Sequence, residues 1–346
     1  MLRKSGLWRG LAAISVFLFG LSIIAGNVLE SYSATIDTFL GTHSQVFQSE
    51  SSESDPLYNK FLPSEEVLNP DGTGNSRALI LKAIRLGREQ AAEGSVLLKN
   101  DKSKGGGLPL KEGAAITLFG IRSSTPIVGS AFGVKAHGPY INLEQALSSD
   151  KTDFAHTMTA NYDTSEGRRV NTTKKWTGEE FEFDGAGFTI NPTMSGVYKI
   201  LSATYQLAEN DLVSETYNPY EPSVSEIENV NPNFRDSFTQ YNDAAIVVIS
   251  RPSGESTDFL PGGVEPGIGA KEPLALTTNE KDAIKLAKEC SDNVIVLLNT
   301  SSAIEIGELK NDPEIDAILW IGAPGNYGFL GVADILSGKV SPSGGL

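Results

Sequence analysis

The segment Ala244–Ser250 reads AAIVVIS, a nearly unbroken run of apolar side chains that is rich in β-branched residues. Such a run is typical of a strand that is covered on both faces, as in a parallel sheet. Similar runs follow at Asn293–Leu298 (NVIVLL) and Ala317–Trp320 (AILW). Between the first two runs, Thr278–Glu289 has apolar residues at helical spacing, which predicts an amphipathic helix. This part of the chain therefore alternates between strand and helix.

The remaining predicted elements continue this alternation. We predict strands at Val96–Leu98 and Ile116–Phe119. Helices are predicted at Arg77–Glu93, Leu143–Leu147, Thr193–Leu207, Ile304–Lys310 and Tyr327–Leu336. Strands separated by helices of this length indicate an α/β fold, here a three-layer α/β/α sandwich with a mostly parallel sheet. The polar interval Asp150–Gly185 has no regular period, and we expect it to form a surface excursion.

The composition excludes several classes of function. The 346 residues include 28 Lys and Arg against 43 Asp and Glu, which gives a formal net charge of −15. Nucleic-acid binding requires a basic face, so we expect no nucleic-acid partner. The chain has 1 Cys and 3 His, and this scarcity argues against a disulfide framework and against a metal site. An acidic surface is also better suited to a neutral substrate than to an anionic one.

The N-terminus carries a pattern that indicates export. Arg3, Lys4 and Arg9 precede an uncharged apolar run from Gly10 to Gly26. A run of this length suits either a signal peptide or a short transmembrane helix. The predicted division of the chain is a signal peptide or membrane anchor at 1–27, a polar spacer at 28–75 and a folded domain at 76–346. Basic residues ahead of the run place the following domain outside the cytoplasm, anchored to the cell membrane or secreted after cleavage.

The candidate site lies in the loops that follow the predicted strands. In an open α/β sheet, ligands bind in the crevice beyond the carboxyl ends of the strands. The loop after AAIVVIS carries Arg251, Glu255 and Asp258 among small residues. A carboxyl group in such a crevice can act as a general acid or base. The same residues also fit a solvated surface loop.

Motifs of other α/β proteins are missing from the sequence. It contains no Gly-x-x-x-x-Gly-Lys-[Ser/Thr] phosphate loop, and no Gly-x-Gly-x-x-Gly fingerprint follows a predicted strand. A Gly-x-Ser-x-Gly nucleophile elbow is also absent, which argues against an α/β-hydrolase.

A series of separate motifs carries a family resemblance. In chain order they are AAEGSVLLKN (91–100), LPL (108–110), ITLFG (116–120), NLEQAL (142–147), GFTINP (187–192), DAAIVVISRPSGESTD (243–258), APGNYG (323–328), DILSG (334–338) and SPSGGL (341–346). In this order and register, they resemble the α/β sandwich domain of glycoside hydrolase family 3, a β-glucosidase-like family. The resemblance extends from about Gly87 to Leu346.

The resemblance implies a retaining, exo-acting β-glycosidase that hydrolyses terminal sugars of oligosaccharides without a cofactor or metal. In that family a (β/α)8 barrel supplies the Asp nucleophile, and in many members a sandwich loop with a Gly-Glu-Gly-x-Asp-Arg type motif supplies the general acid/base. Carried over to this chain, Glu255 is the acid/base, which requires a pKa raised by burial. Asp258, Arg251 and Phe259 are expected to bind substrate. Ser256 stands where the family usually has a second Gly, and Phe259 where it usually has Arg.

The length of the chain leaves no room for the barrel. A (β/α)8 barrel needs about 250 residues, and the folded domain predicted from Ser76 onward is already taken up by the sandwich. The sequence is therefore expected to be a C-terminally truncated front part of a member with reversed domain order. The barrel would lie downstream or on another chain, and this chain alone would be inactive.

Two other classes of function remain open from the sequence. A membrane-tethered, non-catalytic carbohydrate-binding module could stack a sugar ring on Phe259, Trp320 or Tyr327. A nucleotide-binding α/β domain is supported by the strand–helix alternation, but the missing phosphate loops oppose it.

Overall fold

The computed structural model describes residues 2–31, 76–103, 105–129, 140–148, 159–160, 174–175, 183–205, 220–251 and 274–345. The chain divides into two compact units, Met1–Glu65 and Glu66–Leu346. Positions 32–75 of the predicted spacer lie outside the described residues.

The described part of the first unit is helix α1, Leu2–Ser31. Within it, Trp8–Asn27 is a stretch of 20 residues with a mean hydropathy of 1.9, and 0% of it is buried. This stretch is long and apolar enough to cross a membrane. A signal sequence near the N-terminus has the same properties, so the helix is compatible with both predicted alternatives.

The second unit is organised around one sheet. The strands are β1 (Val96–Asn100), β2 (Ala115–Phe119), β3 (Thr159–Ala160), β4 (Lys174–Lys175), β5 (Thr189–Ile190), β6 (Ala244–Arg251), β7 (Val294–Thr300) and β8 (Ala317–Trp320). Among the described residues, six of them form a sheet with the order β1-β8-β7-β6-β2-β5. The pair β1 and β8 is antiparallel, and the other neighbouring pairs in this sheet are parallel. Strands β3 and β4 pair with each other in a separate antiparallel ladder.

Helices connect the strands of this unit. They are α2 (Ser76–Gly94), α3 (Leu143–Leu147), α4 (Pro192–Thr204), α5 (Val224–Val230), α6 (Thr278–Cys290), α7 (Gly307–Asn311) and α8 (Phe329–Leu336), together with 3-10 turns at Ile121–Ser123 and Phe234–Gln240. Helices α3, α5 and α6 begin with capping boxes at Asn142, Ser223 and Thr277. In each box two backbone N–H groups that the helix cannot satisfy gain side-chain partners, which fixes where the helix starts.

Both faces of the sheet are buried, as the AAIVVIS run predicts. In β6, Ile246 and Val248 pack into a core that includes residues of α2, α3 and α8. Val247 and Ile249 point to the other face and pack with residues of α4, α5 and α6. All four side chains are at most 2% exposed. The three-layer α/β/α sandwich with a mostly parallel sheet is therefore confirmed.

The structure differs from the sequence prediction in several details. Strand β1 is antiparallel to its neighbour, which the apolar run Val96–Leu98 gave no means to predict. The helix predicted at Thr193–Leu207 begins one residue earlier and ends at Thr204. The short helix α5 was not predicted, because Ile227 is its sole fully buried side chain among the described residues and seven residues show no clear period. Most of the predicted excursion at Asp150–Gly185 lies outside the described residues.

Candidate active site

The carboxyl ends of the parallel strands lie side by side along one edge of the sheet. The pairing register sets Phe119 beside Val247 and Arg251 beside Thr300. It also sets Leu298 beside Trp320 at the end of β8. The segments that leave these strands therefore start next to one another, at the edge where ligands bind in open α/β sheets.

Arg251 is the last residue of β6, and its side chain is fully buried. Its Nη1 donates hydrogen bonds to the carbonyl of Ser250 at 2.7 Å and to Glu280 Oε1 at 2.5 Å. Its Nη2 donates to the carbonyl of Ala275 at 2.7 Å and to Glu280 Oε2 at 2.9 Å. This two-pronged pairing is the strongest geometry for an arginine and a carboxylate. It joins the end of β6 to the turn before α6.

Glu280 also belongs to the capping box of α6. Its Oε2 accepts the N–H of Thr277 at 2.7 Å, while its own N–H donates to Thr277 Oγ1 at 3.1 Å. The residue is 5% exposed, so Arg251 and the capping box take the place of water around the carboxylate. One carboxylate thus fixes both the start of the helix and the guanidinium of Arg251.

The side-chain amide of Asn299 links three segments at the same edge. Its Oδ1 accepts the N–H of Ile127 at 2.6 Å, and its Nδ2 donates to the carbonyl of Ile127 at 2.9 Å. Nδ2 also donates to the carbonyl of Gly322 at 2.7 Å. Because Asn299 is 0% exposed, these bonds are protected from water. They hold the segments that follow β2 and β8 against the end of β7.

Glu221 contributes a second buried carboxyl group. It is 6% exposed, and its Oε2 accepts the N–H of Ile121 at 2.8 Å. Its Oε1 has no hydrogen-bond partner among the residues that the structure describes. Burial raises the pKa of Glu221 well above its ordinary value of 4.5, and the charge of Glu280 adds to this, while the Ile121 N–H and Arg122 oppose it. The protonated form of Glu221 is therefore favoured in the folded chain.

Arg122 and Tyr198 are buried within electrostatic range of Glu221. Arg122 is 5% exposed and its Nη1 donates to the carbonyl of Thr125 at 3.0 Å. Burial lowers the pKa of Arg122 to about 10, although Glu221 opposes this. The Tyr198 hydroxyl makes no hydrogen bond of good geometry within the described ranges, although the backbone of Gly120 is near enough to act on its pKa in the lowering direction. Burial, and secondarily Glu221, raise the pKa of Tyr198 well above 10.0.

Of the four predicted site residues, the structure describes Arg251. Glu255, Asp258 and Phe259 lie in 252–273, outside the described residues. Arg251 directly precedes that segment, and its fully buried guanidinium is bonded to Glu280 and Ala275 rather than open to a substrate.

The aromatic residues considered for sugar stacking are partly buried. Tyr327 packs against the core on one face of the sheet, and burial raises its pKa. Trp320 packs against the core on the other face. Its ring also lies beside Gly322, where an added Cβ would be 3.4 Å from the indole. These contacts are those of core residues that reach the edge of the sheet.

Sequence reasoning missed Glu221, Tyr198 and Glu280. For Glu280 a signal existed, because Thr277 and Glu280 have the spacing of a capping box ahead of an apolar helical pattern. Glu221 lies in the irregular stretch NPYEP (218–222), which has no period. Its burial depends on contacts with the segment after β2, and these are distant in sequence.

Comparison with known proteins identifies the family. The model of the glycosyl hydrolase family 3 C-terminal domain matches residues 95–346, which is well over half of the chain. The chain belongs to glycoside hydrolase family 3. The family resemblance found in the separate sequence motifs is therefore confirmed, and the sheet edge described above belongs to a family 3 sandwich domain.

Relatives of this family 3 chain include β-glucosidases from bacteria and fungi. Beta-glucosidase A of Butyrivibrio fibrisolvens is 29% identical over 280 residues, which cover 77% of this chain and 28% of that protein. A probable beta-glucosidase A of Aspergillus clavatus is 32% identical over 107 residues, covering 31% of this chain and 12% of that protein. The chain thus spans well under half the length of these relatives.

Solved structures share the fold of the family 3 domain. A β-glucosidase from Paenibacillus barengoltzii has a TM-score of 0.50 and 23% identity, covering 75% of this chain and 23% of that one. β-Glucosidase 3B from Thermotoga neapolitana, solved in complex with glucose, has a TM-score of 0.50 and 24% identity, covering 79% of this chain and 31% of that one. At these identities, the likeness supports the fold.

Proposed function

We propose that this chain is the sandwich-domain part of an exported, retaining, exo-acting β-glycosidase of the β-glucosidase type. It supplies Glu255 as the general acid/base and Asp258 and Phe259 as substrate-binding residues, whereas the buried guanidinium of Arg251 is bonded to Glu280. The observation that carries the proposal is the place where β6 ends, shortly before Glu255 in the sequence. Strand β6 ends with Arg251 at the carboxyl edge of a family 3 sheet.

Retention of anomeric configuration requires two carboxyl groups about 5–5.5 Å apart. The first group attacks the anomeric carbon while the second protonates the leaving oxygen. The second group then deprotonates the water that releases the sugar. In our proposal the sandwich loop supplies only the second of these groups, the acid/base. In our proposal the nucleophilic Asp comes from a (β/α)8 barrel, downstream in the reading frame or on another chain.

The proposed location is outside the cytoplasm. Three basic residues precede a stretch that is long and apolar enough to span a membrane, Trp8–Asn27. This arrangement directs the chain that follows across the membrane. The domain is then anchored by α1, or secreted if α1 is cleaved, and meets oligosaccharides there.

The test is hydrolysis of an aryl β-glucoside by the full chain in detergent, with and without a family 3 barrel supplied as a second polypeptide. We expect no hydrolysis by the chain alone and turnover when the barrel is present, above that of the barrel alone. Turnover by the 346 residues alone would contradict the division of the two carboxyl groups. Binding of glucose or cellobiose, with no hydrolysis in the presence of the barrel, would support a carbohydrate-binding module instead.

A further inference from the structure

The carboxyl group of Glu221 is bonded to segment 121–125, which follows β2 at the carboxyl edge of the sheet. Its Oε2 accepts the N–H of Ile121 across 100 positions of the chain, and both residues are buried. We propose that Glu221 is a proton-operated latch: its neutral carboxyl group keeps segment 121–125 closed, and loss of the proton opens this segment while the sheet stays folded. The latch does not involve Glu255 or any other residue of the proposed acid/base loop.

Segment 121–125 runs between two anchored residues. Before it, Phe119 is the last residue of β2 and pairs with Val247 in the sheet. After it, Ile127 is bonded through both of its backbone groups to the side chain of Asn299. Phe119 and Ile127 are at most 1% exposed. The stretch between them can therefore open as a local unit, in the way that short segments of folded proteins open without global unfolding.

The backbone of Glu221 is held on the side away from this segment. Its carbonyl accepts a hydrogen bond from Asn279 Nδ2 at 2.8 Å, which ties it to α6. Two positions later, Ser223 begins α5 with a capping box. Glu221 is 6% exposed, and its backbone is fixed by these bonds. Its carboxyl group therefore gains water when segment 121–125 moves away from it.

The proton on Glu221 acts through charge and not through the bond to Ile121. A carboxylate and a neutral carboxyl group can both accept the Ile121 N–H. Ionisation, however, places negative charge on both oxygens, and Oε1 has no hydrogen-bond partner among the residues that the structure describes. A buried charge without such partners is costly, and the neutral acid avoids this cost.

Several titratable side chains of the described residues face Glu221 from the surrounding elements. The segment after β2 presents Arg122, α4 presents Tyr198, and α6 presents Glu280. Both terminal nitrogens of Arg251 are already engaged by Glu280. Burial and the charge of Glu280 raise the pKa of Glu221 well above 4.5, although Arg122 and the Ile121 N–H oppose them. The closed segment thus favours the neutral acid.

Opening of the segment should depend on pH in a defined direction. Because the pKa of Glu221 is raised in the closed form, the advantage of that form is complete below 4.5 and is lost as the pH rises toward the raised pKa. In the open form, Glu221 is hydrated and titrates at its ordinary value. Between these two pKa values, the open population should grow about tenfold for each pH unit.

Hydrogen exchange of the Ile121 amide in the full native chain in detergent tests the latch. Exchange is followed by NMR against pH and against low concentrations of urea, with the amide of Val294 in β7 as the reference. We expect the protection factor of Ile121 to fall about tenfold for each pH unit from 4.5 to the raised pKa. It should not change in low urea, because a local opening exposes little surface. Protection of Val294 should fall with urea, because a central strand opens with the whole domain.

The matched variants are Glu221→Gln and Asp316→Asn. Asp316 is buried like Glu221, and its Oδ2 accepts the N–H of Val294 at 2.9 Å. In each variant an amide of the same shape replaces the carboxyl group and can still accept the backbone bond. We expect Glu221→Gln to abolish the pH dependence of Ile121 protection and Asp316→Asn to leave it unchanged. The carbon-13 shift of the Glu221 carboxyl should titrate at the pH where the fall in protection ends.

The latch is wrong if Ile121 shows no protection or a protection factor that does not depend on pH. It is also wrong if Ile121 protection falls with urea in parallel with that of Val294, because Glu221 is then released only by global unfolding. A pH dependence that persists in Glu221→Gln would assign it to another group. If a variant fails to fold, the measurements on the native chain decide alone. No measurement requires hydrolysis of a glycoside, so a failure of the latch is distinct from a failure of the proposed function.

Discussion

The side chain of Asn299 is bonded to both backbone groups of Ile127, with the N–H of Ile127 2.6 Å from Oδ1 and its carbonyl 2.9 Å from Nδ2. An asparagine that pairs with a backbone in this way acts like one more residue of a sheet ladder. It holds the segment after β2 against the end of β7. The edge of the sheet from which the proposed acid/base loop departs is therefore built by side chains as well as by strands.

Asn299→Ala should destabilise the domain by about 3 kcal/mol, because it leaves two buried carbonyls and one N–H without partners. The free energy of unfolding in urea measures this. The control is Asn100→Ala, since Asn100 makes the same pair of bonds to Leu108 away from the carboxyl edge. We expect only Asn299→Ala to speed hydrogen exchange of Ile127. Equal exchange of Ile127 in the two variants would contradict the linking role.

Glu221→Gln should stabilise the domain relative to the native chain, and this gain should increase as the pH rises. The pKa of Glu221 is raised in the folded state, so its contribution to stability is complete below its ordinary value of 4.5 and is lost as the pH rises toward the folded pKa. Glutamine stays neutral and avoids this loss. Between pH 4.5 and the folded pKa, the variant should gain about 1.4 kcal/mol over the native chain for each pH unit. A constant difference across that range would show that Glu221 does not titrate abnormally.

Tyr198→Phe should leave stability unchanged or raise it by up to about 1 kcal/mol, because the buried hydroxyl makes no hydrogen bond of good geometry in the described part of the chain, and its contact with the Gly120 backbone is a weak one. Thermal unfolding of the two chains at neutral pH measures this. Tyr241→Phe, a change at a more exposed ring, serves as the comparison. A loss of more than about 1 kcal/mol would reveal a hydrogen bond to the Tyr198 hydroxyl.

Gly120→Ala should be among the most destabilising single changes at this edge. Gly120 follows β2 with φ of 87°, and an added Cβ would overlap the carbonyl oxygen of Val248. Strain and overlap together should cost about 2–5 kcal/mol. Gly113→Ala is the matched control, since Gly113 has φ of 68° but nothing within 4 Å of the added carbon. Gly113→Ala should lower the free energy of unfolding by about 1–2 kcal/mol. If the two variants lose the same stability, the contact with Val248 relaxes freely.

The fold was largely predictable from the sequence, for a physical reason. The runs at β6 and β7 are apolar on both faces, and a strand of that kind requires helices on both sides. The alternation with Thr278–Glu289 then allows few architectures. The position of strand β1 could be predicted, but its direction could not. An apolar run of three residues carries no information about which neighbour it pairs with.

The candidate site was predictable only in part. The position of Arg251 after a buried strand placed it at the correct edge, but nothing near it in sequence indicated that its partner would be Glu280. Glu221 gave no signal, because its burial arises from a segment that is 100 residues away in the chain. Tyr198 lies at helical spacing with Val197 and Leu201, which indicates burial but not a nearby buried carboxyl group. Sequence patterns report local periodicity, whereas buried charges depend on such long-range contacts.

The most direct test of the central claim is the leaving-group dependence of Glu255→Gln, measured in an enzyme that joins the full chain to a family 3 barrel. A good leaving group departs without protonation, whereas a poor one needs the acid. We expect the variant to lose about 100-fold or more of kcat/KM on an alkyl β-glucoside and far less on 2,4-dinitrophenyl β-glucoside. Added azide should restore turnover of the latter and give a β-glucosyl azide, because an anion needs no general base. Equal losses on both substrates without rescue by azide, or no loss at all, would contradict the assignment of Glu255 as the acid/base.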